Sequence, residues 1–189
     1  TFDISILKLK DRVFDVLSTN GDTSLGGDDI DQALVDFMLA DLRDRLGINY
    51  FSQPEKRVLL TQAAEKAKIS LSENLSTMLE VPPYQRVLTR EEFNQIAKAV
   101  LERTRGPCLQ ALKDAGITPH DLSDVVLVGG PTRLALVQEF ARDLFKREPN
   151  TSEHPDHVVA LGAAIQADIL AGKNKDFLLL DVVPLSLGI

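Results

Sequence analysis

Asp124–Arg133, DVVLVGGPTR, sets a run of apolar, mostly β-branched residues before two adjacent glycines and a Pro-Thr-Arg step into a helical pattern. Gly129 and Gly130 carry no Cβ, so a ligand can approach the backbone closely, and the N–H groups of the helix start that follows can face an anion. A nucleotide phosphate is the usual occupant of such a turn, although a buried strand that merely ends in a structural glycine turn has the same residues. A second segment of this kind is Asn20–Asp31, NGDTSLGGDDID, where Val13–Ser18 runs as a strand toward Gly26-Gly27 and a helix. Glu65, Lys68 and Ser72 stand at i, i+3 and i+7 of another helical pattern and project from one face. Taken alone, that stripe is the solvated side of a helix.

The elements that position these residues follow from periodicity. Thr1–Lys10 alternates, turns at Asp11-Arg12 and continues as Val13–Ser18, an antiparallel hairpin with Phe2, Ile4 and Ile6 on one face and Asp3, Ser5 and Leu7 on the other. Ile30, Leu34, Phe37, Met38 and Leu42 give residues 28–46 an amphipathic helical period, stopped by Gly47 and packed on that hairpin. Residues 53–75 form a second helix with Val58, Ala63, Ala67 and Leu71 inward, followed by a short hairpin around Pro82-Pro83. Thr89-Arg90-Glu91-Glu92 is a capping box that opens a third helix through Phe93, Ile96, Val100 and Leu101. Gly106-Pro107 should bend or interrupt it before it resumes to Asp114. A strand over 125–128 and helices over about 134–145 and 156–170 complete the chain.

With 44% hydrophobic residues, the 189-residue chain can bury a core in one domain or two small ones. Its 28 acidic and 21 basic residues give a net charge of -7 with no basic block, which argues against nucleic acid as a partner. No apolar run reaches the roughly 18 residues that span a bilayer, and no signal-peptide pattern opens the chain, so no membrane role is expected. The single Cys108 cannot form an internal disulfide, which suits the cytoplasm; beside Pro107 in a helical pattern, it reads as a packing residue. Glu153, His154, Asp156 and His157 cluster ligand-type side chains, but Pro155 interrupts them and no well-spaced further partner follows, so no metal site is expected.

These segments together with Thr1–Leu7 (TFDISIL), Ala63–Ser72 (AAEKAKISLS), Pro155–Ala164 (PDHVVALGAA) and Leu178–Ile189 (LLLDVVPLSLGI) resemble the ATPase domain of DnaK-type chaperones of the heat shock protein 70 family. The resemblance covers essentially the whole chain. It implies an α/β fold, the ribonuclease-H-like half of an actin-like ATPase with a helical α+β insertion. Residues 1–27 and 105–177 would be the base subdomain of lobe II and 28–104 its upper insertion. Residues 178–181 would be the interdomain linker and 182–189 the first strand of a peptide-binding domain. The family's glycine-rich phosphate loop and N-terminal lobe precede the position of Thr1, so the chain resembles half of a nucleotide-binding domain and little or no hydrolysis by this half is expected.

The same resemblance assigns roles. Glu65 and Lys68 match residues that hold the ribose hydroxyls, groups that both donate and accept hydrogen bonds. Ser72 matches one facing the adenine, and Arg133 the arginine that lies flat on the base, with Ile69 on the opposite face. Gly129 and Gly130 are the phosphate turn, and Asp156 matches an acid near the base pocket. Thr1 and Asp3 would be the catalytic contributors, near the terminal phosphate and the cation and water network. Pro131 and Ala135 depart from the family pattern and put fine adenine selectivity in doubt. The implied cofactors are ATP or ADP with Mg2+ and K+.

The short stretch between Leu75 and Thr89, with Cys108–Gly116 and Gln166–Leu170, is most similar to HscA, the subfamily that serves iron–sulfur cluster assembly. Its implied partners are a J-domain cochaperone and an iron–sulfur scaffold, in place of the unfolded clients of general DnaK folding and stress-response chaperones. The apolar tail is expected to pair with an exposed strand edge, either on its own sheet or, as self-association, on a neighbouring molecule. The rival readings are an actin-like sugar kinase half and a non-enzymatic interaction module indifferent to nucleotide.

Overall fold

The computed structural model describes residues 1–151, 157–173 and 178–180. The chain divides into two compact units. One comprises Leu25–Arg103 and Arg133–Val137; the other comprises Thr1–Ser24, Thr104–Thr132 and the described residues from Gln138 onward.

Phe2–Lys10 (β1) and Val13–Asp22 (β2) pair antiparallel, turned by Asp11 and Arg12 at φ 49° and 66°. Two left-handed residues match the twist of a tight hairpin. Ile6 is buried and Phe2 and Ile4 half-buried, while Asp3, Ser5 and Leu7 are exposed, as the alternation requires.

In the helical unit, Gly27–Leu46 (α1) stops where expected. Gly47 takes φ 67° and returns its N–H to the Arg43 carbonyl at 3.0 Å, a conformation glycine adopts without a Cβ penalty. Pro54–Glu73 (α2) opens on Pro54, whose missing N–H costs nothing at a first helical position. Its inward stripe is Leu60, Ala64, Ala67 and Leu71, with Ala63 partly buried. Val58, expected inward, is exposed because the repeat from Leu60 sets the helix's rotation. The buried face of α1 serves this unit, packing on α2 and on Arg90–Glu102 (α3).

Ser76–Val81 (β3) and Tyr84–Thr89 (β4) form a compact antiparallel hairpin. At its end the Thr89 hydroxyl accepts the Glu92 N–H at 3.2 Å, and the Glu92 carboxylate accepts the Thr89 N–H at 3.1 Å. This is the capping box read from sequence. Thr89→Ala should cost about 1 kcal/mol, read as a lower denaturant midpoint with an unchanged slope; an unchanged midpoint would show that the cap contributes nothing.

In the other unit, Arg105–Asp114 (α4) contains Gly106 and Pro107 in its first turn, so the break expected at that pair falls earlier, at Arg103-Thr104. A proline in the first turn displaces no helical hydrogen bond. The Ser18 hydroxyl donates to the Ala111 carbonyl at 2.7 Å, tying β2 to α4 over a core of Ile6, Cys108, Ala111, Leu112, Leu144 and Phe145. Residues 125–128, expected as a strand, make one parallel bridge, Val126 to Asn150. An apolar run becomes a strand only when a neighbour extends the ladder, and no other partner occurs among the described residues. Ala135–Phe145 (α5) and Val158–Leu170 (α6) follow, and Leu178–Leu180 (β5) pairs parallel to Val13–Asp15 of β2. The apolar segment at 178–180 therefore lies on the chain's own sheet edge. No described helix is long and apolar enough to cross a membrane.

Candidate functional site

The repeat that buries Leu60, Ala64, Ala67 and Leu71 leaves Glu65 and Ile69 exposed and Lys68 and Ser72 half-buried. Lys68 is anchored at its tip. Its ammonium donates to the Asp31 carboxylate at 2.6 Å and to the Gly27 carbonyl at 3.2 Å, linking α2 to the first turn of α1. Asp31 is 6% exposed, and burial holds its carboxyl above the ordinary range, although Lys68 pulls it back down. Its other oxygen, Oδ1, is buried without a hydrogen-bond partner.

The Ser72 hydroxyl donates to the Ile69 carbonyl at 2.6 Å, so the side chain folds back along its own helix. Just beyond, Arg90 donates to the Leu71 carbonyl at 2.9 Å and to the Asn74 carbonyl at 3.1 Å, satisfying orphan acceptors at the end of α2. Arg133 belongs to the same helical unit as these residues. It is exposed while its neighbour Leu134, 4% exposed, is buried in the core cluster that holds Ala67 and Leu71. The structure thus gathers Glu65, Lys68, Ile69, Ser72 and Arg133 in one unit. It also shows how Leu134 anchors the arginine.

Gly129 and Gly130 lie in the other unit. Gly129 takes φ 97°, the left-handed side that favours glycine, and its carbonyl accepts the Thr132 N–H at 3.1 Å. A short 3-10 turn, Gly130–Arg133, follows, and α5 begins only at Ala135. The glycine pair therefore opens a turn and the helix follows at Ala135, both as expected; of the expected strand, glycine turn and helix start, it is the strand that shrinks to a single bridge. Thr1 and Asp3 are exposed at the start of β1, where the Thr1 hydroxyl donates to the Asp3 carboxylate at 2.8 Å. Opposite them Gly21 pairs with Asp3, and a Cβ there would collide with the Phe2 carbonyl. Glycine at this position lets the two strands close on each other.

Asp156, with Glu153 and His154 of the histidine-rich cluster, lies outside the described residues. Cys108 is buried, and burial pushes its thiol up to about 11 against a smaller opposing pull from Arg105, leaving it protonated and inert at neutral pH. Three positions escaped the sequence reading: Asp31, Arg90 and Gly21. Only Asp31 carried a usable signal, as an acidic residue at an apolar phase of α1 beside Ile30 and Leu34.

The family model described as Hsp70 protein matches residues 1–189. Chaperone protein DnaK of Thermus thermophilus is 44% identical over 201 residues, an alignment that takes in 100% of this chain and 33% of that protein. The chain spans about a third of the length of this curated relative.

Proposed function

The chain belongs to the Hsp70 family, and from that premise we propose that it is the adenosine-side half, lobe II, of the nucleotide-binding domain of an ATP-dependent chaperone. Membership carries the α/β fold of actin-like ATPases expected from the sequence. Residues 1–27 and 105–177 are the base in this reading and 28–104 the upper insertion, with 178–181 as linker and 182–189 as the start of a peptide-binding domain. The observation that carries it is the gathering of Lys68, Ser72 and Arg133 in one unit, with α2 and Leu134 sharing a core.

The residues present fit an adenine nucleotide. Two N–H bonds of the Lys68 ammonium go to Asp31 and Gly27, and the third is available to a ribose hydroxyl, with the exposed Glu65 carboxylate one turn away as acceptor. Arg133 presents a planar cation to one face of the base and Ile69, 60% exposed, an apolar surface to the other. Gly129 and Gly130 offer close backbone approach to phosphate, while Thr1 and Asp3 orient water and K+ at the terminal phosphate. ATP, bound with Mg2+, supplies the phosphoryl group whose transfer to water drives the chaperone cycle.

The compact β3–β4 hairpin supports an HscA-type role, with a J-domain cochaperone and an iron–sulfur scaffold as partners. Similarity to a DnaK supports the general folding role as the alternative. The buried, protonated single cysteine is compatible with the cytoplasm in either case. Self-association through residues 182–189 is a separate proposal.

Calorimetric titration with ADP and with GDP, in potassium and magnesium buffer, tests the adenosine-side reading. Weak binding that prefers ADP is the expected outcome. Binding of neither nucleotide would mean that the other lobe is required to close the site, or would favour the interaction-module reading.

A further inference from the structure

A lysine that merely lies along a solvated helix face keeps its ammonium in water. Lys68 does not: only 16% of its side chain is exposed, and its tip meets a carboxylate that is 8% exposed. Taking two charges out of water costs more than their attraction returns unless the remaining lone pairs are satisfied. Here they are not, because Asp31 Oδ1 is buried without a partner. Apolar pairs of the same volume often hold two helices at least as well as a buried ion pair does. A buried ion pair is thus weak evidence for stability; what the pair visibly supplies is a cation fixed in direction.

Two anchors set that direction. Gly27 and Asp31 stand four residues apart, one above the other on α1, and both accept from the same ammonium. With two of its three N–H bonds spent on fixed acceptors, the nitrogen cannot rotate freely. We propose that Asp31 is a positioning residue for ribose recognition, holding Lys68 so that its remaining N–H meets a nucleotide hydroxyl. This inference rests on the reading of Lys68 as the ribose-facing lysine. Asp31 acts through Lys68 and touches no ligand itself. Glu65, one turn from Lys68 and also felt electrostatically by Asp31, completes the local charge set with Asp28.

The test compares ADP with 2′,3′-dideoxy-ADP, which lacks both ribose hydroxyls, by calorimetry on the full chain. The readout is the ratio of the two affinities, because a purely structural role would weaken both nucleotides alike. Lys68→Met should collapse the wild-type preference for ADP. Asp31→Asn should lower the same ratio by about tenfold, the scale of one lost charge-assisted hydrogen bond, with thermal melting confirming a folded protein. Loss of the ratio in Lys68→Met but not in Asp31→Asn overturns this inference and leaves the ribose assignment standing. An unchanged ratio in Lys68→Met overturns both. Should Asp31→Asn fail to fold, Asp31→Glu, which keeps the charge and displaces it by one methylene, takes its place with the same outcomes.

Discussion

Phe93→Ala should lower the stability of the helical unit by about 3–5 kcal/mol, the range for truncating a fully buried aromatic side chain. Phe93 is 1% exposed and sits in the first turn of α3, directly after the Thr89 cap. It shares a cluster with Leu34, Met38, Leu71, Tyr84 and Leu88, drawn from two other helices and the β3–β4 hairpin. Elements held by their own hydrogen bonds cannot all move inward together, so the volume of the missing ring persists as a cavity. Loss of the cluster would also release α2, and nucleotide binding should fall with it. Denaturant unfolding followed by far-UV circular dichroism measures the effect. A loss below about 1 kcal/mol would mean that the neighbours relax into the gap and that the core is far looser than its burial implies.

Arg133→Ala should weaken ADP binding by about tenfold while leaving the protein folded, since the side chain is exposed and lies outside the buried core. The asymmetry arises from adjacent residues with opposite tasks. Leu134 is buried and holds the segment; Arg133 is exposed and carries the cation. In the proposed site, truncating the arginine removes a planar group from the base without opening the core. Arg133→Lys should recover only part of the affinity, because an ammonium keeps the charge but cannot stack. Calorimetry on the three proteins decides the matter, and unchanged ADP affinity in Arg133→Ala would remove Arg133 from the site.

Much of the fold was legible because local chemistry determined it. The Gly47 stop, the Pro54 start and the Thr89–Glu92 box each depend on residues within one turn of the feature they produce. The errors share another origin. Residues 125–128 have the composition of a strand, yet strand formation depends on a partner far away in sequence, and among the described residues only Asn150 supplies one. Val58 carries the right residue type, but the rotation of α2 is set by what packs on Leu60 and Ala64. The candidate site divides along the same line. Glu65, Lys68 and Ser72 share a face by helical spacing, which the sequence contains. That Lys68 is tethered to Asp31, 37 residues earlier, is a tertiary fact with no local trace beyond an acid at an apolar phase.

The helical unit draws on two separated stretches, 25–103 and 133–137, and this has a consequence for how the protein is made. A ribosome delivers the first stretch complete with α1, α2, the second hairpin and α3. Leu134 and Arg133 follow only after residues 104–132 have emerged, a lag on the order of seconds at ordinary synthesis rates. During that interval the nascent unit can collapse around Leu34 and Leu71, but the place of Leu134 in its core stays open to solvent or to a holding factor. If the proposed site holds, ligand competence is acquired late in translation, when the chain has passed residue 137, and a stall before that point would leave the unit without Arg133, the cation proposed to stack on the base.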